Sequence, residues 1–368
     1  MIRSKTLRKA AALAAALVAT GGLLATTAPP AGASAVDSST LIFVPYNGQT
    51  FTIWRNGNTA TPAHFSTART IEGNFGGPTG TDVFLYNPGS GSDGILSVAP
   101  NMSSFTHSFR SESISGTYTP VVGDFDANAV DDILWYAPGT AVDSIWLFQP
   151  NGSHTSKPVT INGTYKPTAI NVDGDGDSDV IWYAPGTAAD SIWRFGPGAN
   201  PSSKSITING NYQLIPGHFG AAAEGSPQRR LVFFNKSGAD SIWTFDTSAN
   251  HVSKALPNID GAATPVVGEF WAQDLDAILF YRPGTTGEDY ISFNSNGSVN
   301  QLEPPTVNGS YDPEVGDYDG NGYQDIAWAS GGKATLWRFA NGGYSQQSIV
   351  TSTTNTRPAT IDNFRYPA

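Results

Sequence analysis

Three segments of the chain place carboxylate or amide side chains at positions one, three, five and nine of a nine-residue stretch. The side chains are Asp124, Asp126, Asn128 and Asp132; Asn171, Asp173, Asp175 and Asp179; and Asp317, Asp319, Asn321 and Asp325. Calcium takes six to eight oxygen ligands in a flexible arrangement, which such a loop can supply with its side chains and a backbone carbonyl. Magnesium fits less well because it demands octahedral geometry and keeps its water. We therefore predict three structural calcium sites at these residues, with the weak affinity of extracellular modules.

Position six of each loop must bend sharply, and Gly176 and Gly322 occupy it in two of the three. The first loop has Ala129 there, and a positive φ would cost that alanine about 1 kcal/mol. We therefore expect the first site to bind most weakly. Asp, Asn and Gly also form ordinary turns, so one such loop would decide little. Three loops at the same place in a repeat favour metal binding.

The loops belong to a repeat that covers the chain after its first few dozen residues. A short opening phrase recurs at Gly73-Asn74-Phe75, Gly123-Asp124-Phe125, Ile170-Asn171-Val172, Gly217-His218-Phe219, Gly268-Glu269-Phe270, Gly316-Asp317-Tyr318 and Asp362-Asn363-Phe364. The spacings between these phrases are 50, 47, 47, 51, 48 and 46 residues. A period of roughly 40 to 50 residues is typical of a propeller blade.

One unit shows how such a blade is built. Alternation and turn residues predict strands at 119–125, 132–136 and 144–148, and Asn151-Gly152 turns the chain into a fourth. The same order recurs in the following unit, so the repeat predicts four-stranded sheets.

The ends of the repeat region are complementary. Leu41 to Val44 and Thr52 to Arg55 match second and third strands, whereas Ala359 to Phe364 matches an opening strand. Six whole units and one assembled from both ends make seven blades. We predict an all-β, seven-bladed β-propeller whose C-terminal strand completes the N-terminal blade, which removes exposed sheet edges. An open solenoid is disfavoured because it needs atypical capping ends instead of complementary half-units.

With their shared aspartate at position nine, the loops at Asp124, Asn171 and Asp317 resemble those of the FG-GAP or VCBS repeat family. Members of this family form the seven-bladed head of integrin α chains. Similar repeats occur in fungal propeller lectins that bind sugars between blades, and as appendages of secreted bacterial enzymes. The resemblance implies a calcium-containing propeller with a binding role. It transfers no sugar-binding residue to this sequence.

The first 35 residues are typical of an export signal. Arg3, Lys5, Arg8 and Lys9 precede an apolar stretch over 10–24, and Ala33-Ser34-Ala35 offers a cleavage site. The apolar run is shorter than the roughly 20 residues that cross a bilayer. We predict a secreted protein, with residues 1–35 removed near Ala35 and residues 36–368 forming one propeller domain.

Charge and composition narrow the partners. The chain has 20 basic and 31 acidic residues, and four of the basic ones lie in the leader, which leaves 16 against 31 and a net charge of −15. Such a balance disfavours nucleic acid and membrane insertion. The sequence has no cysteine, so stability must come from packing, metal or topology. We expect a monomer.

A second phrase repeats as regularly, for example from Tyr136-Ala-Pro138-Gly139 to Asp143-Ser-Ile145-Trp146. It could form sugar-binding platforms, but we favour a structural role in which aromatics fill the space between blades and the acid tethers a turn. The five histidines show no catalytic or metal-ligand spacing. We therefore predict a binding module, lectin-like or adhesive, with glycans or extracellular surface proteins as partners. The alternative is a secreted enzyme acting on carbohydrate or polymer at the channel mouth.

Overall fold

A computed structural model describes residues 39–361, except 46–51, 56, 61–68, 78–81, 90–91, 99–106, 140–141, 187–188, 221–229, 260, 273–274, 285–286, 295–297, 303–305, 341–342 and 351–355. These residues form 28 strands and no helix, arranged as seven four-stranded antiparallel sheets. All of them lie in one compact unit, Val36–Ala368. The predicted all-β, seven-bladed β-propeller is confirmed.

Each sheet is a blade, and the blades follow one another in chain order. Blade 1 contains β1 (Thr40–Pro45), β2 (Thr52–Arg55), β3 (Asn58–Ala60) and β28 (Thr356–Ile361). Blade 2 contains β4 (Arg69–Gly73), β5 (Asp82–Tyr86), β6 (Asp93–Val98) and β7 (His107–Glu112). Blade 3 contains β8 (Thr119–Gly123), β9 (Asp132–Tyr136), β10 (Asp143–Phe148) and β11 (His154–Val159). Blade 4 contains β12 (Lys166–Ile170), β13 (Asp179–Tyr183), β14 (Asp190–Arg194) and β15 (Ser202–Ile206).

Blade 5 contains β16 (Gln213–Gly217), β17 (Arg230–Phe234), β18 (Ser241–Phe245) and β19 (His251–Ala255). Blade 6 contains β20 (Thr264–Ala272), β21 (Leu275–Tyr281), β22 (Asp289–Phe293) and β23 (Val299–Leu302). Blade 7 contains β24 (Asp312–Gly316), β25 (Asp325–Ser330), β26 (Lys333–Ala340) and β27 (Gly343–Val350).

The core lies between blades. The second strand of a blade is an unbroken buried run, as in β9, because both of its faces are covered by neighbouring sheets. Trp135 of blade 3, for example, packs against Phe84 of blade 2 with ring centroids 5.3 Å apart, in the edge-on geometry that aromatic pairs prefer. Each blade therefore depends on its neighbour for part of its hydrophobic core.

The first strands line the central channel, and neighbouring first strands contact one another around the ring. Five of them carry proline opposite the same position of the second strand: Pro120, Pro167, Pro265, Pro313 and Pro358. Proline has no N–H, so it suits a strand whose free edge faces the channel. It also closes that edge to pairing with another strand.

The ring closes as predicted, because β28 pairs with β1 along its whole length. The register corrects the last repeat of the sequence analysis by one residue. Ile361 lies opposite Thr40, as Gly123 lies opposite Asp132, so Ile361 and not Asp362 takes the glycine position. Residues 362–364 of the predicted opening phrase lie outside the described residues, as does the predicted leader. Within the described part of the chain, no helix could span a membrane.

Candidate metal centres

The acidic loop of blade 3 joins the end of β8 to the start of β9, and its first residue organises it. The Asp124 carboxylate accepts hydrogen bonds from the backbone N–H groups of Asn128 (3.1 Å) and Ala129 (2.7 Å). Ala127 and Ala129 have φ values of 56° and 65°, in the left-handed region. The predicted bend at position six is therefore present, and an alanine there costs about 1 kcal/mol or more.

This fold of the loop brings three carboxylates together. Asp124, Asp126 and Asp132 each offer an oxygen within 4.8 Å of the other two. The Oδ1 atom of Asp126 is buried and has no hydrogen-bond partner. A buried carboxylate oxygen without a partner is costly, and a cation in the middle of the three acids would satisfy it. Asn128 is the predicted fourth ligand. Its Oδ1 atom instead accepts a hydrogen bond from Val130 N, and its amide group donates one to Phe148 O, both at 2.8 Å.

The loop of blade 7 repeats this arrangement with glycines in place of the two alanines. Asp317, Asp319 and Asp325 form a second triad with oxygens within 4.8 Å. Asp317 accepts N–H bonds from Asn321 and Gly322, and Asn321 donates from its amide to Phe339 O at 2.8 Å. The two loops therefore share one geometry, and blade 7 adopts it without the backbone strain.

The loop of blade 4 differs from the other two. Asp173, Asp175 and Asp179 do not bring three oxygens within the same distance, although all three residues are described. Asp173 forms an ion pair with Arg194 at 3.4 Å, while its Oδ1 is buried without a partner. The Oδ1 of Asn171 accepts a hydrogen bond from Gly174 N at 2.6 Å. Part of the charge of this loop is therefore already neutralised by the protein.

Whether a basic side chain lies near the acid at loop position three depends on the residue that follows the tryptophan of the third strand. Blade 4 has Arg194 there, and blade 7 has Arg338. Burial raises the pKa of Asp319, and the charge of Arg338 offsets part of that rise. Blade 3 has Leu147 at the same place. Burial and the neighbouring Asp124 both raise the pKa of Asp126, with no basic group acting in the other direction. Among the acids at position three, Asp126 is thus the one whose charge no basic side chain offsets.

The aspartates at position nine do more than ligand spacing suggested. Asp132, Asp179 and Asp325 are fully buried, and each accepts two backbone N–H bonds, from Phe125 and Phe148, from Val172 and Phe195, and from Tyr318 and Phe339. Burial raises their pKa values to about 8, 7 and 8. Blade 2 has no other acidic ligand in its loop, yet Asp82 accepts the same bond from Phe75 N at 2.9 Å. The aspartate at position nine therefore mainly tethers strands to one another, and it can also serve as a metal ligand.

The loops are also joined from blade to blade. In five blades, a residue at the start of the second strand or just before it donates its backbone N–H to the carbonyl of loop position one in the preceding blade. The bonded pairs are Ser39 and Asp317, Asp131 and Asn74, Ser178 and Asp124, Asp276 and His218, and Gln324 and Glu269. Asp177 illustrates the resulting coupling, because burial together with the charges of Asp175, Asp124 and Asp126 raises its pKa to about 6. A cation bound in one loop would therefore change the electrostatic environment of the acids in the next loop.

The repeated aromatic phrase is structural, as we favoured. The Tyr136 hydroxyl donates to Gly163 O (2.9 Å) and accepts from Tyr165 N (2.8 Å), which clamps the linker to the next blade. Tyr86, Tyr183 and Tyr281 make the same pair of bonds. Asp143 accepts N–H bonds from Ala137 and Ile161, as predicted for a turn tether. In blade 6, Asp289 instead pairs with Arg282 at 2.7 Å, and the buried acid is the preceding Glu288.

Sequence reasoning missed the partner of these tyrosines. A Gly-x-Tyr pattern recurs at Gly116-x-Tyr118, Gly163-x-Tyr165, Gly210-x-Tyr212 and Gly309-x-Tyr311. Each glycine has φ between 130° and 135°, and a Cβ on it would lie 2.6–2.8 Å from the tyrosine ring. Only glycine meets both demands. The regular spacing was visible in the sequence and could have revealed these linkers.

The channel mouth at the loop end encloses a cavity of about 440 Å³. Glu72, Asp131 and Asp276 line it, and no described histidine does. Asp131 accepts the N–H of Asn74, and Asp276 that of His218, so these two carboxylates tether backbone. Among the described histidines, His218 follows the first strand of blade 5 and meets Asp276 through its backbone N–H. His107, His154 and His251 each begin a fourth strand, where His154 stacks on Trp146 at 4.1 Å. His64 lies outside the described residues.

No protein-family model matches the chain, and no curated protein sequence matches it. Solved structures do match. A protein from Lactobacillus plantarum and a putative 6-phosphogluconolactonase from Bacteroides uniformis each give a TM-score of 0.56 at 11% identity, covering 88% of this chain and 100% of theirs. A fungal lectin from Aleuria aurantia, a six-bladed β-propeller, gives 0.41 at 11% identity over 77% of this chain and 95% of that chain. At these identities the first two likenesses show the propeller fold alone, and the third carries no argument.

Proposed function

We propose that this chain is a secreted, calcium-stabilised β-propeller that acts as a binding module for carbohydrate, or for proteins of the extracellular surface. The observation that carries the metal assignment is the triad of Asp124, Asp126 and Asp132, in which a buried Asp126 oxygen has no partner. Asp317, Asp319 and Asp325 supply a second site of the same form. Asn171, Asp173, Asp175 and Asp179 complete the set as a third site.

Calcium suits these loops because its ligands are hard oxygens and its geometry is adaptable. When bound, it would neutralise acids that otherwise repel one another. Its role is structural: the loop residues hold the ends of the first and second strands, and position nine already fixes the third strand. Cation binding would therefore stiffen one rim of the propeller. The opposite rim would be left for ligands.

Binding is favoured over catalysis by the state of the channel mouth. Two of its three carboxylates, Asp131 and Asp276, hold backbone amides, and no histidine joins them in the described residues. The alternative is a secreted enzyme acting on carbohydrate or polymer there, with Glu72 as the remaining acid. The fold neighbour from Bacteroides uniformis is described as a putative lactonase, which makes sugar lactones a reasonable first substrate to assay.

The proposal is tested with the chain secreted from its full-length gene. N-terminal sequencing of the secreted protein should begin near Val36, and size-exclusion chromatography should give a monomer. Calorimetric titration should detect calcium binding that magnesium at the same concentration does not reproduce. A glycan array should show binding that is weakened by chelator. A calcium titration without heat and a melting curve unchanged by chelator would refute the metal, whereas hydrolysis of a lactone abolished by Glu72→Gln would favour the enzyme.

A further inference from the structure

A groove of about 550 Å³ lies between blades 4 and 5, at the end of the sheets opposite the acidic loops. Lys166 lines it and pairs with Tyr183 at one end of the β12–β13 ladder, whereas Ile170 and Asp179 pair at the loop end. The groove is therefore separate from the candidate metal centres. We call it the blade 4–5 groove.

Local sequence differences in blade 5 open this groove. Phe233 occupies the second-strand position that holds Trp135, Trp182 and Trp328 in blades 3, 4 and 7, and Leu214 replaces the proline opposite it. The turn that follows reads Asn235-Lys236 where blade 3 has Ala137-Pro138. Phe280 occupies the same position in blade 6, opposite Pro265. Blade 5 is therefore distinguished from blades 3, 4 and 6 by Leu214, and by a lysine at the turn position that holds Pro138, Pro185 and Pro283.

The charge of the groove is opposite to that of the chain. Lys166 and Lys236 line it with exposed side chains, and no carboxylate is among its lining residues. In a protein with a net charge of −11 this is a local basic site, and it attracts anions. Asn211 and Gln213 add amide groups, which both donate and accept hydrogen bonds and so suit hydroxyls.

Tyr212 supplies a fixed phenol at the same place. The equivalent tyrosines Tyr118, Tyr165 and Tyr311 donate their hydroxyls to carbonyls three residues upstream, at 3.5, 3.2 and 3.1 Å. Within the described residues, the Tyr212 hydroxyl makes no such bond. Its ring rests on Gly210 and meets Phe233 edge-on at 5.6 Å, and its backbone N–H is held by Tyr183 at 2.9 Å. The Tyr212 hydroxyl is thus held in place and is available to form hydrogen bonds with a ligand.

We propose that the blade 4–5 groove binds a sugar that carries a carboxylate, a uronate, as a single site and not as one of seven equivalent copies. The two ammonium groups recognise the carboxylate, while Asn211, Gln213 and the Tyr212 hydroxyl bond the sugar hydroxyls. This inference rests on the proposed carbohydrate-binding function and names its ligand class and blade.

The test compares glucuronate with glucose, which differ only in the carboxylate, by NMR or calorimetric titration of the secreted protein at low ionic strength. We expect glucuronate to bind at least tenfold more tightly than glucose and to weaken as salt rises. The double variant Lys166→Met/Lys236→Met should lose that preference. Tyr212→Phe should weaken binding about three- to tenfold. The matched controls Tyr165→Phe and Lys333→Met should bind as the wild type does.

Three results would overturn the inference: equal binding of glucose and glucuronate, unchanged binding by the double lysine variant, or inorganic phosphate binding as tightly as glucuronate, which would indicate an anion site without sugar recognition. The melting temperature of each variant confirms that it is folded, since all five positions are exposed or half-buried. If a glycan array shows other sugars binding while glucuronate fails, the proposed function stands and the groove assignment falls. If neither the array nor the titration detects any sugar, both the proposed carbohydrate-binding function and the groove assignment are refuted.

Discussion

Replacing Asp126 by asparagine should change the stability of this protein in opposite directions with and without calcium. Without a cation, Asp124 and Asp126 repel each other across less than 4.8 Å. Two unit charges at that distance cost about 3.5 kcal/mol at an effective dielectric of 20. Both groups are partly exposed, so solvent reduces this to the order of 1 kcal/mol. Burial raises the pKa of Asp132 to about 8, so that residue is largely protonated at neutral pH and adds little repulsion.

With calcium present, the same substitution removes a ligand. At a calcium concentration 100 times the dissociation constant, one site stabilises the fold by about 2.7 kcal/mol. A tenfold weaker site would retain about 1.4 kcal/mol at that concentration. Asp126→Asn should therefore be about 1 kcal/mol more stable than the wild type in chelator. Calcium should add about 1.3 kcal/mol less to it than to the wild type, which leaves it about 0.3 kcal/mol less stable in calcium. At roughly 2–4 °C per kcal/mol, the melting temperature of the variant should lie about 2–4 °C above that of the wild type in chelator and about 1 °C below it in calcium.

Differential scanning calorimetry at pH 7.5, in calcium and in chelator, provides the assay. Asp312→Asn is the control, because Asp312 is exposed and lies at the other end of its strand from the loop. The equivalent change Asp319→Asn should show a smaller gain in chelator, since Arg338 already offsets that charge. A shift of Asp126→Asn with the same sign in both buffers would refute the view that these acids are an uncompensated cation site.

Three further outcomes are expected. Gly163→Ala should destabilise the fold by roughly 2 kcal/mol or more in urea titrations, because its φ is 133° and a Cβ would lie 2.7 Å from the Tyr165 ring; an unchanged midpoint would contradict this. Tyr136→Phe should cost about 1–3 kcal/mol, since Gly163 O and Tyr165 N both lose the partner that joins blades 3 and 4, and a wild-type urea midpoint would show the clamp to be unimportant. In chelator, the free energy of unfolding should rise as the pH falls from about 8 towards 4. The pKa values of Asp132 and Asp325 are raised in the folded state, so the folded state binds protons that the unfolded state, with ordinary carboxyl pKa values, does not. Calcium should remove this trend, and a melting temperature that falls steadily from about pH 8 to about pH 5 in chelator would disprove it.

The architecture could be predicted from the sequence because the blades of a propeller repeat one sequence pattern at a regular spacing. Six full repeats and two complementary ends defined the blades, and strand β9 falls where alternation placed it, at Asp132–Tyr136. Position in the repeat also located the acidic loops. These features depend on local patterns that each blade states independently, so an error in one repeat is corrected by the others.

What the sequence could not give were roles that depend on contacts between blades. Position nine looked like a fourth metal ligand, yet Asp82 keeps the same backbone bond in a loop without the other acids. The pairing of Asp173 with Arg194 joins a loop to a third strand, and no spacing rule anticipates it. The displaced register at Ile361 has the same origin, because only the ladder with Thr40 fixes which residue faces which.

The pairing of Thr356–Ile361 with Thr40–Pro45 joins segments separated by more than 300 residues along the chain. The entropy of closing so large a loop is lost only when that ladder forms, and contacts this distant in sequence form slowly. During synthesis, six blades can be complete while β1, β2 and β3 still lack β28, which is made more than 300 residues later. Assembly should therefore end in a single late step that converts an open arc into a ring, and that unfinished arc is the species most exposed to aggregation and proteolysis.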